Sequence, residues 1–348
     1  MTASHNLPDS LKDDGTSTAE YQEGVVYRKN IGNYVVCVDG HFVACEMSSR
    51  LRKRLIYPTA SPHSLRPVVR QVKAIEHTDP IAIGDHVRIL RTSDGSGLIV
   101  QIMPRRNWLS RPTATPMPGA HAFEQLIAAN VDQIVAVFAA ARPTPKWGLL
   151  DRYLVSAESA GIPALICLTK LDLTQNASPK DYAELMSVIE EYRQIGYPLI
   201  LTSSISGQGV DELKAALKGR TSVLIGKSGV GKTSLLNTVQ PGLGMRIGEV
   251  NRATGKGRHT TAHLEMFPLS IGGALIDTPG MREFGLWGIG NDDLALYFPE
   301  MRAYIGQCKF GLDCQHDEEP GCAIRNAVLT GRIAPRRYQS YLALKINA

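Results

Sequence analysis

The chain has 348 residues, of which 43% are hydrophobic and 20% are charged. This composition is typical of a globular protein, and the length allows two or three domains. The formal net charge of +5 permits a nucleic-acid partner without requiring one. No apolar run approaches the ~20 residues that cross a bilayer, and the N-terminus lacks the basic-then-apolar pattern of a signal peptide. We therefore expect a cytoplasmic protein without a membrane partner.

The N-terminal part of the chain is predicted to be all-β. Residues 1–20 are polar and are expected to form a disordered tail. Residues 21–103 contain short β-like runs separated by turn signals, and Asp39-Gly40 between two of them is a hairpin signal. The runs are GVVYR, NYVVCVDGHFVACE, PVVRQVKAIE, DHVRIL and GLIVQIM. Short strands at this spacing predict a small barrel of the OB type.

A dense basic segment lies between these strands and is predicted to be a loop. Its charged residues are Arg50, Arg52, Lys53 and Arg54. Such a run is often only a solvated face. On an OB-like barrel, whose loops commonly hold nucleic acid, contact with a phosphate backbone is an equal alternative, and both interpretations stay open.

The middle of the chain alternates between strands and helices. Residues 104–120, rich in Pro, Thr and Arg, are predicted to be a linker. Within residues 121–285, apolar strands are predicted at 132–140, 164–168, 199–202, 221–225 and 273–276, with helices at 149–160, 181–195 and 210–217. This order predicts an α/β domain with a doubly wound parallel sheet. Residues 286–348 are expected to form a mainly helical domain that carries cysteines and a histidine.

The sequence GKSGVGKT at residues 226–233 fits the phosphate-loop pattern between a predicted strand and a predicted helix. Backbone N–H groups and a helix N-terminus at such a turn bind phosphate. Lys232 is expected to contact the β- and γ-phosphates and the Thr233 hydroxyl to ligate Mg²⁺. The predicted nucleotide-binding residues of this segment are Gly226, Lys227, Ser228, Gly229, Val230, Gly231, Lys232, Thr233 and Ser234.

Three further motifs stand at the ends of predicted strands. In DTPG, Asp277 is expected to hold Mg²⁺ through water, and the Gly280 N–H to sense the γ-phosphate. In TKLD (Thr169, Lys170 and Asp172), the carboxylate is expected to accept hydrogen bonds from guanine N1–H and its exocyclic amine, while the lysine stem covers the base. The alternative is that Asp172 only caps a helix-entry turn. The segment SSISG (Ser203, Ser204, Ile205) is expected to contact guanine O6 through a backbone N–H.

The order of these motifs is unusual, because TKLD and SSISG precede the phosphate loop and DTPG. In this circularly permuted order the chain resembles the RsgA/YjeQ family of small-ribosomal-subunit-dependent GTPases. The resemblance implies an N-terminal OB fold, a permuted GTPase domain and a C-terminal zinc domain. It also implies GTP/GDP as ligands, binding to the small subunit and its rRNA, and a role in late subunit maturation. We expect a monomer.

The resemblance extends to a switch segment between the phosphate loop and DTPG. Thr261 is expected to coordinate Mg²⁺, with Thr260 as the alternative. Met281 occupies the position at which many GTPases carry the glutamine that orients the attacking water. A thioether cannot orient water, so His259 is the candidate for that role, with Lys232 stabilising charge in the transition state. Simple solvent exposure of His259 is the alternative.

Four residues with metal-ligand chemistry lie close together near the C-terminus. Cys308, Cys314, His316 and Cys322 offer three thiolates and one imidazole, which is a complete tetrahedral shell for one structural Zn²⁺. The remaining cysteines, Cys37, Cys45 and Cys167, lie singly in apolar strands and are expected to be core thiols. Four later arginines are predicted to form a positive surface for RNA phosphate: Arg325, Arg332, Arg336 and Arg337.

Two other functions are compatible with parts of this pattern. A P-loop kinase or ATPase would share the phosphate loop, but it would not need two guanine-binding loops. An RNA-binding protein that uses GTP only as a structural ligand would share every motif and would differ in lacking turnover. Nucleotide competition separates the first alternative, and multiple-turnover hydrolysis separates the second.

Overall fold

The structure of the protein is a computed structural model that describes residues 21–30, 32–56, 80–112, 124–244, 264–277 and 289–346. The predicted strand at 67–76 and the predicted tail at 1–20 lie outside these ranges, as do His259, Thr260, Thr261, Gly280 and Met281. No helix in the described part of the chain is long and apolar enough to cross a membrane.

The N-terminal strands close into a five-stranded barrel. Strand order is β1-β2-β3-β5-β4, and β4 pairs back onto β1. All pairs are antiparallel except β3 with β5. Alternate side chains fill the interior, as the period of two requires. The OB-type barrel is therefore confirmed. The strands are β1 Tyr21–Asn30, β2 Asn33–Val38, β3 His41–Met47, β4 His86–Arg91 and β5 Gly97–Ile102.

Two local features of the barrel test the sequence predictions. Asp39 and Gly40 connect β2 to β3 with φ of 50° and 81°, so the predicted hairpin is confirmed. The basic segment is a helix, α1 (Ser49–Ile56), so the predicted loop is wrong. The Leu51 N–H donates to the Ser48 hydroxyl at 3.2 Å and the Leu51 side chain is buried, which fixes one face of the helix. Arg50, Arg52 and Lys53 are exposed.

The α/β region is built on six strands in the order β10-β9-β8-β11-β13-β12. The first five are parallel, and β12 is antiparallel to its neighbour β13. Separate apolar clusters cover the two faces of the sheet, one packed under α2 and α3 and the other under α4 and α5. The strands are β8 Gln133–Ala139, β9 Ala164–Thr169, β10 Leu199–Leu201, β11 Arg220–Ile225, β12 Leu264–Pro268 and β13 Gly273–Asp277; the helices are α2 Trp147–Ser159, α3 Pro179–Ile195, α4 Val210–Leu217 and α5 Lys232–Val239.

The barrel and the α/β region share one continuous sheet. β12, which the sequence analysis did not predict, pairs antiparallel with β1 through Arg28 opposite Glu265, and these two side chains also form an ion pair. Part of the predicted linker is ordered as well. It forms β6 (Trp108–Pro112), which pairs with β7 (Glu124–Ala129). Arg105 in the same segment bonds the fully buried Asp85 at 2.7 Å.

The sheet order explains the permuted motif order. The phosphate-loop strand β11 lies between β8 and β13, although β8, β9 and β10 all precede it in the chain. The carboxyl ends of β9, β10, β11 and β13, which carry TKLD, SSISG, the phosphate loop and Asp277, therefore meet at one edge of the sheet. Motifs that are far apart in sequence form one site.

The C-terminal region is mainly helical, as predicted. It contains short 3₁₀ turns followed by α6 (Ala323–Leu329) and α7 (Pro335–Ile346). Its core includes Phe298, Met301, Ile324 and Tyr341, and Val155 of α2 belongs to the same apolar cluster. The C-terminal region therefore packs directly against the α/β region.

The predicted RNA surface is wrong for two of its four arginines. Arg337 is fully buried and bonds Asp151 at 2.6 Å and Glu300 at 2.6 Å. Arg336 bonds Asp151 at 3.1 Å and Glu191 at 3.0 Å. Both guanidinium groups pair with the buried Asp151 of α2, and Arg336 also pairs with Glu191 of α3, so the two arginines dock α7 on these helices. Arg332 is exposed and Arg325 is half-buried.

Candidate nucleotide-binding site and metal centre

The phosphate loop has the strand–turn–helix geometry that its sequence predicts. β11 ends at Ile225 and α5 begins at Lys232. Gly229 and Gly231 have φ of 80° and 96°, in the region that favours glycine. A Cβ on Gly226 would lie 2.4 Å from the Val137 carbonyl oxygen, so this glycine is needed for close packing on β8. Thr233 and Ser234 are exposed in the first turn of α5.

Lys232 lies beside the phosphate loop, near the carboxylate of Asp277 at the end of β13. Its ammonium donates to the carbonyl of Gly226 and, at 2.9 Å, to that of Lys227. Burial lowers the pKa of Lys232, and the nearby Asp277 carboxylate opposes that shift. Asp277 is buried at the end of β13, paired in register with Leu224 of β11. One cation and one carboxylate therefore lie near each other beside the phosphate loop.

Thr169 connects the TKLD strand to the phosphate loop. Its hydroxyl is within hydrogen-bonding reach of the Val230 carbonyl and of the Phe138 carbonyl at 3.2 Å. The side chain is 2% exposed. The threonine therefore fastens β8, β9 and the phosphate loop together, and its hydroxyl points away from the solvent.

Lys170 has a left-handed backbone conformation, with φ of 57°, and its side chain extends to the phosphate loop. Its ammonium donates to the Gly229 carbonyl at 2.6 Å and to the Arg142 carbonyl at 2.5 Å. Arg142 belongs to the connection between β8 and α2, which the sequence analysis did not include in the site. A backbone carbonyl has no residue-type signature, so the sequence carried no signal for it.

Asp172 and Ser203 form a pair between the two proposed base-binding loops. The Ser203 hydroxyl donates to Asp172 Oδ1 at 2.6 Å and accepts from the N–H groups of Ile205 and Ser206, each at 3.2 Å. Ser203 is fully buried, whereas Ile205 is 83% exposed. Ser203 therefore holds the carboxylate, and its hydroxyl is already engaged within the protein.

The Cys/His motif converges on one point. The donor atoms of Cys308, Cys314, His316 and Cys322 lie within 4.8 Å of one another, and all four residues are buried. His316 Nδ1 is 3.4 Å from Cys308 Sγ and 3.6 Å from Cys322 Sγ, and these two sulfurs are 4.0 Å apart. Thiolates at about 2.3 Å from a tetrahedral ion are about 3.8 Å from each other, so the donor set fits Zn²⁺.

The surroundings of this cluster favour a bound cation. Burial raises the pKa of the Cys314 thiol to about 12 and also raises that of Cys322, a penalty on the thiolates that a bound cation would offset. Backbone N–H groups of Ala323 and Arg325 point at sulfur, at 3.3 Å to Cys308 and 3.5 Å to Cys322. Such donors stabilise negative sulfur. Four protein donors leave no open position, which is typical of a structural site.

Comparison with known proteins supports this arrangement. The family model of the RsgA GTPase matches residues 102–287. The small ribosomal subunit biogenesis GTPase RsgA of Pseudomonas aeruginosa is 45% identical over 261 residues, which cover 75% of this chain and 74% of that protein. This chain belongs to the RsgA GTPase family.

Solved structures of similar proteins share the architecture. YjeQ from Thermotoga maritima has a TM-score of 0.70 and 28% identity, with coverage of 94% of this chain and 98% of that one. YloQ, a circularly permuted GTPase, has a TM-score of 0.65 and 28% identity, with coverage of 94% and 95%. The resemblance inferred from motif order is therefore confirmed, and so is the permuted fold. As a member of the RsgA family the chain is a GTP-hydrolysing enzyme.

Proposed function

We propose that this chain hydrolyses GTP on the small ribosomal subunit and acts in that subunit's late maturation. The main support for the proposal is that the phosphate loop, TKLD and SSISG, although in permuted order in the chain, meet at one edge of the sheet. The name of the Pseudomonas aeruginosa relative supplies the subunit as partner. The partner would also include the subunit's rRNA.

The residues of the proposed site form two halves: a phosphate half, which would bind the phosphates, and a base half, which would bind the guanine base. In the phosphate half, N–H groups of residues 226–234 would surround the phosphates, and Lys232 would neutralise charge on the β- and γ-phosphates as the bond to the leaving group breaks. In the base half, Asp172 would accept from guanine N1–H and the exocyclic amine with its two carboxylate oxygens, because Oδ1 keeps an acceptor site beside its bond from Ser203. Lys170 would cover the base with its stem while its ammonium stays on the Gly229 and Arg142 carbonyls.

Hydrolysis requires a positioned water and a divalent cation. Thr233, Asp277 and Thr261 would hold Mg²⁺, with Thr260 as the alternative to Thr261, and the metal would neutralise developing charge on the phosphates. His259 would orient the attacking water, because Met281 offers no hydrogen-bonding group. These assignments in residues 259–281 rest on sequence.

The zinc centre has a structural role in this proposal. One Zn²⁺ on Cys308, Cys314, His316 and Cys322 would maintain a small region whose apolar core is limited. On the barrel, exposed Arg50, Arg52 and Lys53 would contact rRNA phosphates. A monomer in the cytoplasm is the expected form.

The deciding experiment is multiple-turnover GTP hydrolysis with and without purified small subunits. Addition of subunits should raise the turnover rate, and GTP and GDP, but not ATP, should compete for the site. Lys232→Ala should abolish hydrolysis with or without subunits. Equal competition by ATP would instead indicate a P-loop ATPase or kinase. Guanine-specific binding without turnover under either condition would indicate an RNA-binding protein with GTP as a structural ligand.

A further inference from the structure

The first turn of α2 is held by an arginine from the C-terminal region. The Arg336 guanidinium lies 4.9 Å from the centre of the Tyr192 ring and 5.9 Å from that of Trp147, the first residue of α2. Its Nη1 atom bonds Asp151 Oδ2 at 3.1 Å and the Tyr192 hydroxyl at 3.1 Å. One planar group thus contacts α2, α3 and two aromatic rings together, which a lysine cannot do.

The same turn of α2 continues directly into the nucleotide site. Residues 140–146 connect β8 to Trp147, and the Arg142 carbonyl within them accepts from the Lys170 ammonium at 2.5 Å. Pro143 and Lys146 of this connection line a small cavity together with Lys227 and Val230 of the phosphate loop. The position of the connection therefore determines where one of the two anchors of Lys170 lies.

We propose that Arg336 is a positioning residue for Lys170, so that docking of the C-terminal region sets how long a guanine nucleotide stays bound. Arg336 fixes Trp147, Trp147 fixes the connection at Arg142, and Arg142 fixes the lysine that covers the base. This inference rests on the proposed function, in which guanine nucleotide occupies this site.

The proposal predicts a specific selectivity signature. A lysine stem covers the face of any purine, so its displacement weakens guanine and hypoxanthine nucleotides equally. Asp172 instead recognises the exocyclic amine of guanine, which inosine nucleotides lack. Asp172 is held by Ser203 at the ends of β9 and β10, and Arg336 touches neither of these residues. A change at Arg336 that displaces Lys170 therefore lowers the affinity for both nucleotides but leaves the preference for GDP over IDP unchanged.

The chain offers a matched control for Arg336. Arg302, also in the C-terminal region, bonds Glu158 at 2.6 Å, but Glu158 belongs to the last turn of α2, at the end opposite to Trp147. Arg336→Lys and Arg302→Lys make the same chemical change in two arginines that contact opposite ends of α2. Only the first change is close to the connection at Arg142.

The test measures dissociation of N-methylanthraniloyl GDP and IDP from the full-length, zinc-loaded protein by stopped flow. Arg336→Lys should speed both dissociation rates by about threefold to tenfold and leave their ratio at the wild-type value. Trp147→Phe, which keeps an aromatic ring but weakens the cation–π contact, should act in the same direction. Arg302→Lys should leave both rates unchanged.

Other results would overturn the inference. If Arg336→Lys and Trp147→Phe left the dissociation rates unchanged, Arg336 would not control nucleotide dissociation. If Arg302→Lys raised the rates as much as Arg336→Lys, the effect would not be specific to the Trp147 end of α2. A changed GDP/IDP ratio would indicate an effect on Asp172 instead. The Lys170→Ala variant distinguishes failure of the positioning role of Arg336 from failure of the proposed function. If it accelerates dissociation while the Arg336 variant does not, only the positioning role is wrong.

Discussion

Replacement of Arg337 by methionine should detach the C-terminal region from the α/β region. Arg337 is fully buried, with its guanidinium 4.7 Å from the centre of the Phe298 ring. Burial alone would lower its pKa, but the ion pairs with Asp151 and Glu300 outweigh burial and raise the pKa above its ordinary value. The arginine is therefore charged in the folded protein.

The expected cost follows from the acids that the substitution leaves behind. Asp151 is fully buried and would keep its bonds to Arg336 and Tyr192, whereas Glu300, whose side chain is 10% exposed, would lose both of its bonds to Arg337. Removal of one partner from a buried ion pair costs about 3–5 kcal/mol. A penalty of this size is a large part of the ~5–15 kcal/mol that stabilises a domain.

Hydrogen exchange of the α7 amides, followed by mass spectrometry, measures the local opening. Since each 1.4 kcal/mol is about a factor of ten, Arg337→Met should speed exchange in α7 by about two to three and a half orders of magnitude. Arg302→Met is the matched control, because the Arg302 side chain is 47% exposed and such pairs contribute only about 0–1 kcal/mol. The double variant Arg337→Met/Glu300→Gln should recover part of the loss. If α7 exchanged no faster in Arg337→Met than in Arg302→Met, the buried ion pairs of Arg337 would not hold the C-terminal region in place.

Three other predictions concern base recognition, hydrolysis and the metal centre. Asp172→Asn should weaken GTP binding by about 1–3 kcal/mol and favour xanthosine triphosphate, since an amide opposes guanine N1–H; an unchanged GTP/XTP preference in competition assays would exclude Asp172 from base recognition. His259→Ala should abolish subunit-stimulated hydrolysis with near-normal GTP binding, and Met281→Ala should be milder; the reverse order in turnover assays would remove the role of His259. Removal of zinc by a chelator, or Cys314→Ala, should weaken co-sedimentation with small subunits but preserve selectivity for GTP over ATP; binding equal to wild type would show that the metal centre is dispensable for docking.

The local features of this protein could be predicted from its residues alone. The phosphate loop from Gly226 to Thr233 could be predicted because its turn requires glycines at fixed positions and leads directly into a helix. The residues that specify the turn and the helix start are contiguous in the chain. The hairpin at Asp39-Gly40 is encoded in the same local way. The Cys308–Cys322 cluster could be predicted because its four donors lie within one short segment. Motif order alone then indicated the permuted arrangement.

Whether a charged side chain lies on the surface or in the core could not be predicted from local sequence. Arg336 and Arg337 lie in a basic segment that resembles an RNA-binding face, but their acid partner Asp151 is 186 residues from Arg337 in the chain. The same limit applies to the Arg142 carbonyl at Lys170 and to β12, which joins the barrel to the sheet. A charged side chain is stable in the core only if folding brings an opposite charge to it. That pairing depends on the packing of distant elements, so no local pattern encodes it.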